Sequence, residues 1–102
     1  MYSNVNICIQ KKLKSSVQYI WGDDMNQGYL DPTVVGDAIA FFRKRKKISQ
    51  EVLSGLSDIG RTHLSAIERG ERKPTLETLY RICCALGISM SEVVREIERR
   101  LA

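Results

Sequence analysis

The sequence predicts an all-α fold, in which a small helical domain follows a short N-terminal extension. Three observations favour this fold. Apolar residues recur three and four positions apart over residues 34–102, and helix-stop and helix-start signals separate these segments. The chain has 102 residues, of which 43% are hydrophobic, and this content fits one small domain and an extension. We therefore divide the chain into an extension over residues 1–33 and a helical domain over residues 34–102.

The first predicted helix begins near Thr33. Pro32 fits a first helical turn and steers the residue before it out of helical geometry, so it marks the boundary. The inward side chains of this helix are Val35, Ile39 and Phe42. The helix ends in a basic run over residues 43–47, whose positive charges complement the helix dipole. For this run we favour a solvated helix end over direct contact with phosphate.

The second predicted helix begins at Ser49 or Gln50, because the Ser49 hydroxyl can cap the first free backbone amides. Its inward positions are Val52, Leu53 and Leu56. The helical pattern stops over residues 57–60, where Asp58 tolerates the left-handed conformation and Gly60 adopts it freely. A tight turn of about four residues therefore joins this helix to the next.

The third predicted helix runs from Arg61 to Arg69 and ends at Gly70, which suits a left-handed helix stop. At about 100° per residue, one face of this helix is formed by Leu64, Ile67 and Glu68. The opposite face carries Thr62, Ser65, Ala66 and Arg69. An outward face of small polar and basic side chains suits insertion into a DNA groove.

The fourth predicted helix covers about residues 75–86 and stops at Gly87. Its inward side chains are Leu76, Leu79, Ile82, Cys83 and Leu86. The fifth helix opens with Ser89 and Glu92, which form a capping box, and continues as an apolar stripe. The stripe is Val93, Val94, Ile97 and Leu101. Because four helices already supply a core, we expect Val94, Ile97 and Leu101 to pack against a second copy of the chain. The alternative is ordinary core packing by Val93 and Val94 with a frayed tail.

Three segments of the sequence resemble the phage-repressor and Cro-type helix-turn-helix family. They read GDAIAFFRKRKKISQEVLSGL, SDIGRTHLSAIERG and ERKPTLETLYRICCALGISMSEV, and they cover about residues 35–94 without a gap. The Ser-Gln pair, the Ile-Glu-Arg-Gly ending and the Pro-Thr-Leu-Glu-Thr-Leu opening stand at the separations that are typical of the family. The resemblance implies a five-helix, lambda-repressor-like domain that binds operator DNA as a dimer. Without it, the residues support only an all-helical domain with a basic face.

The resemblance also implies roles for individual side chains in DNA binding. Gln50 matches a glutamine that donates to a phosphate oxygen, and Arg61, Thr62 and Ala66 align with positions that meet base edges in the major groove. Arg61 suits a bidentate contact with guanine, whereas the methyl groups of Thr62 and Ala66 suit thymine. Phosphate contacts are expected from Ser65, Arg69 and Lys73. Each basic side chain taken singly can equally be a solvated surface charge.

Three further side chains are interpreted separately. Glu68 lies on the inward side of its helix, and a buried carboxylate needs a partner. The resemblance places Arg43 within reach, so we expect this pair to fix the first helix against the third. His63 is the single histidine and has no ligand-type neighbour at metal spacing, so a phosphate contact or a solvated position suits it better than a metal site.

Charge and composition exclude several classes of function. The net charge is +4, all of it within residues 34–102, and a cationic excess attracts nucleic acid. The three cysteines lack CxxC spacing, and a single histidine leaves no nucleophile-and-base arrangement, so we expect neither a metal, nor a cofactor, nor catalysis. No apolar run approaches the ~20 residues that a membrane span needs, and no secretion signal opens the chain. The expected location is therefore the cytoplasm.

Residues 1–33 are not explained by the resemblance. Val5, Ile7 and Ile9 alternate with polar residues, and SVQYIW follows, which together favour a small β-hairpin. A helix through Leu13, Val17 and Ile20 and plain disorder are the alternatives. The segment also holds Tyr2, Tyr19, Trp21 and Tyr29, which is a high aromatic content for a solvated tail. We therefore expect it to dock on an apolar patch of Phe41, Val52 and Leu56, in its own or a partner chain.

Two functions fit these observations. The first is a sequence-specific transcriptional regulator, most simply a repressor that binds a double-stranded DNA operator as a homodimer. The second is an antitoxin-like interaction module, in which residues 1–33 bind a partner protein and the helices bind DNA for autoregulation. Deletion of residues 1–33 distinguishes the two, because on the second hypothesis DNA binding survives and the partner protein is lost.

Overall fold

The structure is a computed structural model, and it describes residues 28–102. Five α-helices follow one another in this part of the chain, which confirms the all-α prediction: α1 Pro32–Arg45, α2 Gln50–Ser57, α3 Arg61–Glu68, α4 Leu76–Leu86 and α5 Met90–Leu101. Three predictions concern residues 1–27, which lie outside the described residues. They are the hairpin, the competing helix through Leu13 and the docking of the extension.

Local side-chain caps begin four of the five helices. The Asp31 carboxylate accepts a hydrogen bond from the Thr33 amide at 2.9 Å, so α1 begins at Pro32, one residue before the predicted start. Ser49 caps α2 by accepting from the Val52 amide at 3.1 Å. The start of α3 lacks a cap of this kind, because the residue before it is a glycine in extended conformation. The caps of α4 and α5 are Thr75 and the pair Ser89 and Glu92.

Left-handed residues end α2 and α4 and follow α3, as the sequence indicates. Asp58 adopts a φ of 58° after α2, whereas Gly60 has a φ of −65°, so Asp58 alone supplies the left-handed conformation of this turn. Gly70 at 80° follows α3, and Gly87 at 71° ends α4. Arg69, which was predicted to be the last residue of the third helix, is instead its C-cap. The tight turn between α2 and α3 sets the direction of α3 relative to α2.

The core lies between all five helices. Helix α1 packs against α3 and α5, α2 packs against α3 and α4, and α4 packs against α5. The core side chains are Val35, Ala38, Ile39, Phe42, Leu53, Leu64, Ile67, Leu79, Ile82, Cys83, Leu86, Val93 and Ile97. Leu64 and Ile67 are fully buried, so α3 is anchored by its inner face.

Several positions that were predicted to point inward are exposed. Val52 and Leu56 have exposed fractions of 47% and 63%, and only Leu53 of α2 is a core apolar residue. The buried face of α2 is completed by Ser54 and Ser57, whose hydroxyls donate to backbone carbonyls of their own helix. Two small serines with satisfied hydroxyls therefore pack where the apolar pattern predicted larger residues.

Two further predictions about inward positions are wrong. Leu76 has an exposed fraction of 73%, because it is the first residue of α4 and lies at the edge of the helix packing. Val94 is exposed, so its assignment to ordinary core packing is wrong. Ile97 is buried within the core, so little of its side chain is left for a surface that meets a second copy. The burial of Ile97 follows from the packing of α5 on both α1 and α4.

Candidate nucleic-acid interface

The first turn of α3 presents two side chains to solvent. Arg61 and Thr62 are exposed, whereas Leu64 and Ile67 are completely buried on the other side of the same helix. The helix begins at an uncapped glycine, so its first amide groups are not satisfied by a side chain of the preceding residue. Free amides and the positive end of the helix dipole both favour an anionic ligand at this end. The structure therefore leaves the start of α3 open for contact with a polyanion.

Ala66 is the one predicted base-contacting residue that the structure does not leave open. Its exposed fraction is 8%, so the prediction that it lies on the free face is wrong. A methyl group extends little beyond the helix backbone, and larger neighbours cover it easily. The chain after α3 also folds back over this turn, since the Glu71 amide donates to the Ala66 carbonyl at 2.9 Å.

The last turn of α3 carries a charged network that the sequence patterns did not reveal. Arg69 donates through Nε and Nη2 to the two carboxylate oxygens of Glu71, at 2.7 and 3.0 Å. Its Nη1 also donates to the hydroxyl of Ser65, which is half-buried. Hydrogen bonding to Arg69 lowers the pKa of Glu71, and the same contact raises the pKa of Arg69. Two of the expected phosphate-binding side chains are thus joined to each other and to an acid.

Gln50 is also engaged within the domain. Its Nε2 donates to Glu68 at 2.9 Å, which ties the start of α2 to the end of α3. An amide nitrogen carries two hydrogens, so this bond leaves a second donor for a phosphate oxygen. His63 is half-buried in α3, and Lys73 is exposed in the loop that follows Gly70. The expected DNA-contacting residues therefore lie in α3, at its two ends and at the start of α2.

Arg43 and Glu68 form the pair that joins α1 to the end of α3. Arg43 donates through Nε at 2.7 Å and Nη2 at 2.9 Å to the Glu68 carboxylate, and the exposed fractions of the two side chains are 12% and 5%. Nη1 of Arg43 donates to the Ile48 carbonyl at 2.8 Å. Arg43 therefore points inward and is not part of the exposed basic surface. The exposed residues of the basic run over residues 43–47 are Lys44, Arg45, Lys46 and Lys47.

The backbones of α1 and α3 approach closely at Gly36, a residue that sequence reasoning missed. A Cβ atom at Gly36 would lie 2.3 Å from the Ile67 carbonyl oxygen and 2.7 Å from that of Glu68. Only glycine permits this approach. The single signal in the sequence was a glycine inside an otherwise regular helical segment, which often marks a close packing contact. Gly36 and Arg43 together hold the C-terminal end of α3 against α1.

The outer face of α5 carries Val94, with an exposed fraction of 41%, and Leu101 is partly buried against the core. The end of α5 is attached to α1 through Arg100, whose guanidinium lies 5.5 Å from the centre of the Phe41 ring. Arg45 stacks on the same ring at 5.6 Å. Phe41 is therefore partly covered by two cations, and it is a smaller apolar surface than the sequence pattern indicated.

The described residues contain no cluster of three or more side chains suited to a metal ion. Cys83 is buried and Cys84 is exposed, so these adjacent thiols point to different surroundings, as expected of neighbours on a helix. Among residues 28–102, no helix has the length and apolar character that a membrane span requires.

Comparison with known proteins shows what the described helices are similar to. The sequence profile of the helix-turn-helix family matches residues 39–93. An uncharacterised HTH-type transcriptional regulator from Sinorhizobium fredii is 41% identical over 61 residues, which are 60% of this chain and 79% of that protein. The immunity repressor protein of Bacillus phage phi105 is 39% identical over 62 residues, which are 61% of this chain and 43% of the repressor.

A solved structure agrees with these sequence relatives. The crystal structure of the clp gene regulator ClgR from C. glutamicum superposes with a TM-score of 0.68 and 32% sequence identity. The match covers 72% of this chain and 95% of that one. The similarity thus extends over nearly all of that solved chain.

Proposed function

This chain belongs to the helix-turn-helix family of phage-repressor and Cro type and is a DNA-binding transcriptional regulator, and from that premise we propose that it recognises a specific double-stranded operator with α3 in the major groove. One observation carries this proposal. Arg61 and Thr62 are exposed at the start of a short helix whose opposite face is anchored by two fully buried residues. A helix whose inner face is buried in the core and whose N-terminal end is exposed can enter a groove without rearrangement of the core.

The proposal assigns base contacts to the first turn of α3. Arg61 presents a planar fork of donors that fits O6 and N7 of guanine, and the Thr62 methyl group fits the C5-methyl group of thymine. Ala66 is left out of the base-contacting set because it is buried. Discrimination between sequences therefore rests on Arg61 and Thr62.

Phosphate contacts are assigned to the residues that flank the first turn of α3. The second amide hydrogen of Gln50 is assigned to a phosphate of one strand, and further contacts are assigned to His63, Ser65, Arg69 and Lys73 along α3 and the loop after it. Such contacts fix the register of a protein on DNA and carry no sequence information themselves. Neutralised phosphates release counterions, so binding is expected to weaken steeply as salt is raised.

We also propose that the regulator acts in the cytoplasm as a homodimeric repressor, with residues 34–102 as the DNA-binding domain. The exposed Val94 on α5, with Leu101 beside the core, supplies an apolar face for a second copy. Two copies related by a two-fold axis read a pseudo-palindrome whose half-sites lie about one helical turn, or ~10 bp, apart. Bound at a promoter, such a dimer excludes polymerase.

Selection of bound duplexes from a random-sequence pool tests this function. At physiological ionic strength we expect enrichment of one pseudo-palindromic site, and light scattering of the complex should give a mass of two chains per duplex. Substitution Arg61→Ala should weaken the enrichment, through loss of preference at one position in each half-site, while leaving the helical circular dichroism spectrum unchanged. Binding of all duplexes with equal affinity would contradict sequence-specific recognition, and a single chain on the selected site would contradict the dimer.

A further inference from the structure

Arg69, which the proposed function assigns to a phosphate, already holds an anion. Its Nε and Nη2 donate to both oxygens of the Glu71 carboxylate, at 2.7 and 3.0 Å. A bidentate contact to one edge of a guanidinium is also the geometry in which arginine binds a phosphate. Glu71 therefore occupies the edge of Arg69 that suits a phosphate best.

The backbone between the two residues fixes this pair in place. Gly70 has a φ of 80°, and its amide donates to the Ile67 carbonyl at 3.0 Å. The Glu71 amide donates to the Ala66 carbonyl at 2.9 Å, so the chain turns back and brings the acid beside Arg69. The helix ending thus places the two side chains beside each other.

The pair has little use in the folded core. The exposed fractions of Arg69 and Glu71 are 53% and 59%, and water screens an ion pair at such exposure. The buried pair of Arg43 and Glu68 already holds the end of α3 against α1. An exposed carboxylate beside the proposed DNA surface is also repelled by the duplex, so its position calls for an explanation in terms of binding.

We propose that Glu71 limits the affinity of this protein for DNA by competing with a backbone phosphate for Arg69. This inference rests on the proposed function and goes beyond it by assigning a role to an acid that makes no contact with a base. A phosphate must displace the carboxylate before it can bind the Nε and Nη2 edge of Arg69, and the displaced carboxylate then stands unpaired near the duplex. Glu71 thereby weakens the part of the binding free energy that does not depend on sequence, which dominates non-specific binding.

Substitution Glu71→Gln tests the competition, because the amide keeps the shape of the side chain and removes its charge. If one more phosphate is neutralised, the dissociation constant for a duplex should fall about three- to tenfold at 0.1 M salt, and the slope of log K against log salt should become more negative by about 0.9. Fluorescence anisotropy with a labelled duplex over a range of salt concentrations measures both quantities.

Glu77→Gln is the matched control, because Glu77 is an exposed acid that accepts from Arg81 at 3.0 Å in α4. It makes the same change of net charge, and we expect less than about a twofold effect from it, because its partner Arg81 is not among the side chains assigned to a phosphate and exposed charges are screened by salt. Equal effects from both substitutions would show a general response to net charge and overturn the inference. Weaker binding by Glu71→Gln would overturn it as well, because it would mean that Glu71 orients Arg69 for DNA.

A double-mutant cycle with Arg69→Gln isolates the pair. In the Arg69→Gln background the effect of Glu71→Gln should fall to the small part that comes from repulsion between Glu71 and the duplex, and an undiminished effect would contradict competition for Arg69. If the unsubstituted protein binds no duplex at all, both the proposed function and this inference fail. If it binds and Glu71→Gln changes neither affinity nor salt slope, the inference alone is wrong.

Discussion

Arg43 of α1 donates two hydrogen bonds, at 2.7 and 2.9 Å, to the carboxylate of Glu68, the last residue of α3. Both side chains are largely removed from water, and Gln50 from the start of α2 donates to the same carboxylate at 2.9 Å. Three helices of the DNA-binding unit are therefore joined at one acid. The direction of α3 depends on this junction as well as on the apolar contacts of Leu64 and Ile67.

Substitution Glu68→Ala removes the acid that joins these helices. It leaves the Arg43 guanidinium largely buried and without its counter-charge, and breaking a buried pair in this way costs roughly 3–5 kcal/mol. We expect the free energy of unfolding to fall by about 3 kcal/mol, measured by urea denaturation followed by circular dichroism. Glu77→Ala, which removes an exposed partner of Arg81, should change stability by about 0.5 kcal/mol or less. Equal small effects from both would contradict a structural role for Glu68.

Two glycine substitutions compare a tight helix contact with an open one. Gly36→Ala places a Cβ atom 2.3 Å from the Ile67 carbonyl oxygen, so α1 and α3 must separate, at a cost of roughly 1–3 kcal/mol. A Cβ atom at Gly55 in α2 meets no atom within 4 Å, so Gly55→Ala should stabilise the helix by about 0.5–1 kcal/mol. Thermal melting measures both changes. If Gly36→Ala left the melting temperature unchanged, the two backbones would have to separate at little cost in stability, which would contradict a tight contact.

The two neighbouring cysteines of α4 should differ in reactivity. Cys83 has an exposed fraction of 2%, and burial raises the pKa of its thiol to about 11, so the reactive thiolate is scarce at pH 8. Cys84 is exposed. In a Cys8→Ser background we expect one thiol to react with a maleimide in the native protein and the second only after unfolding, as mass spectrometry can show. Labelling of Cys83 at the same rate in the native state would refute the packing of α4.

The outer face of α5 is the proposed meeting surface of two copies. Val94→Glu places a charge on this face and should shift the protein from dimer to monomer in sedimentation experiments, with no loss of helix content. Val52→Glu makes the same change at an exposed position of α2 and should leave the dimer intact. If Val52→Glu dissociated the dimer and Val94→Glu did not, the dimer surface would have to be assigned to α2 and not to α5.

Helix boundaries were predictable from the sequence because they depend on neighbouring residues. The Ser49 cap, the reciprocal pair of Ser89 and Glu92, and the left-handed stops at Gly70 and Gly87 all involve contacts within a few positions. Each is encoded in a short segment and needs no knowledge of the tertiary packing.

The choice of buried face was less predictable. The apolar pattern of α2 selected Val52 and Leu56, whereas the structure buries Ser54 and Ser57 beside Leu53. Which side of a short helix is buried is decided by its neighbours, and a serine whose hydroxyl bonds to its own helix is packed as readily as an alanine. The prediction that Ala66 lies on the free face was wrong for a related reason, since a small side chain indicates neither burial nor exposure strongly.

The candidate site was predictable where it follows helical spacing and not elsewhere. Arg61 and Thr62 were assigned to the open end of α3, and the structure leaves both exposed. The pair of Arg69 and Glu71 lies across a left-handed glycine, where helical spacing no longer relates sequence distance to contact. The contact of Phe41 with Arg100 joins two helices that are far apart in the sequence, and such contacts are not encoded in local patterns.

The most direct test of the central claim is a base-pair scan of the selected duplex with the unsubstituted protein and with Arg61→Ala. Each base pair is replaced in turn, and the dissociation constant is measured at constant salt. If Arg61 reads a guanine from the major groove, Arg61→Ala should lose discrimination of about 1–3 kcal/mol at one position in each half-site and keep it at the others. A uniform loss of affinity at every position, with all preferences retained, would show that Arg61 binds only phosphate and would contradict recognition of bases by the start of α3.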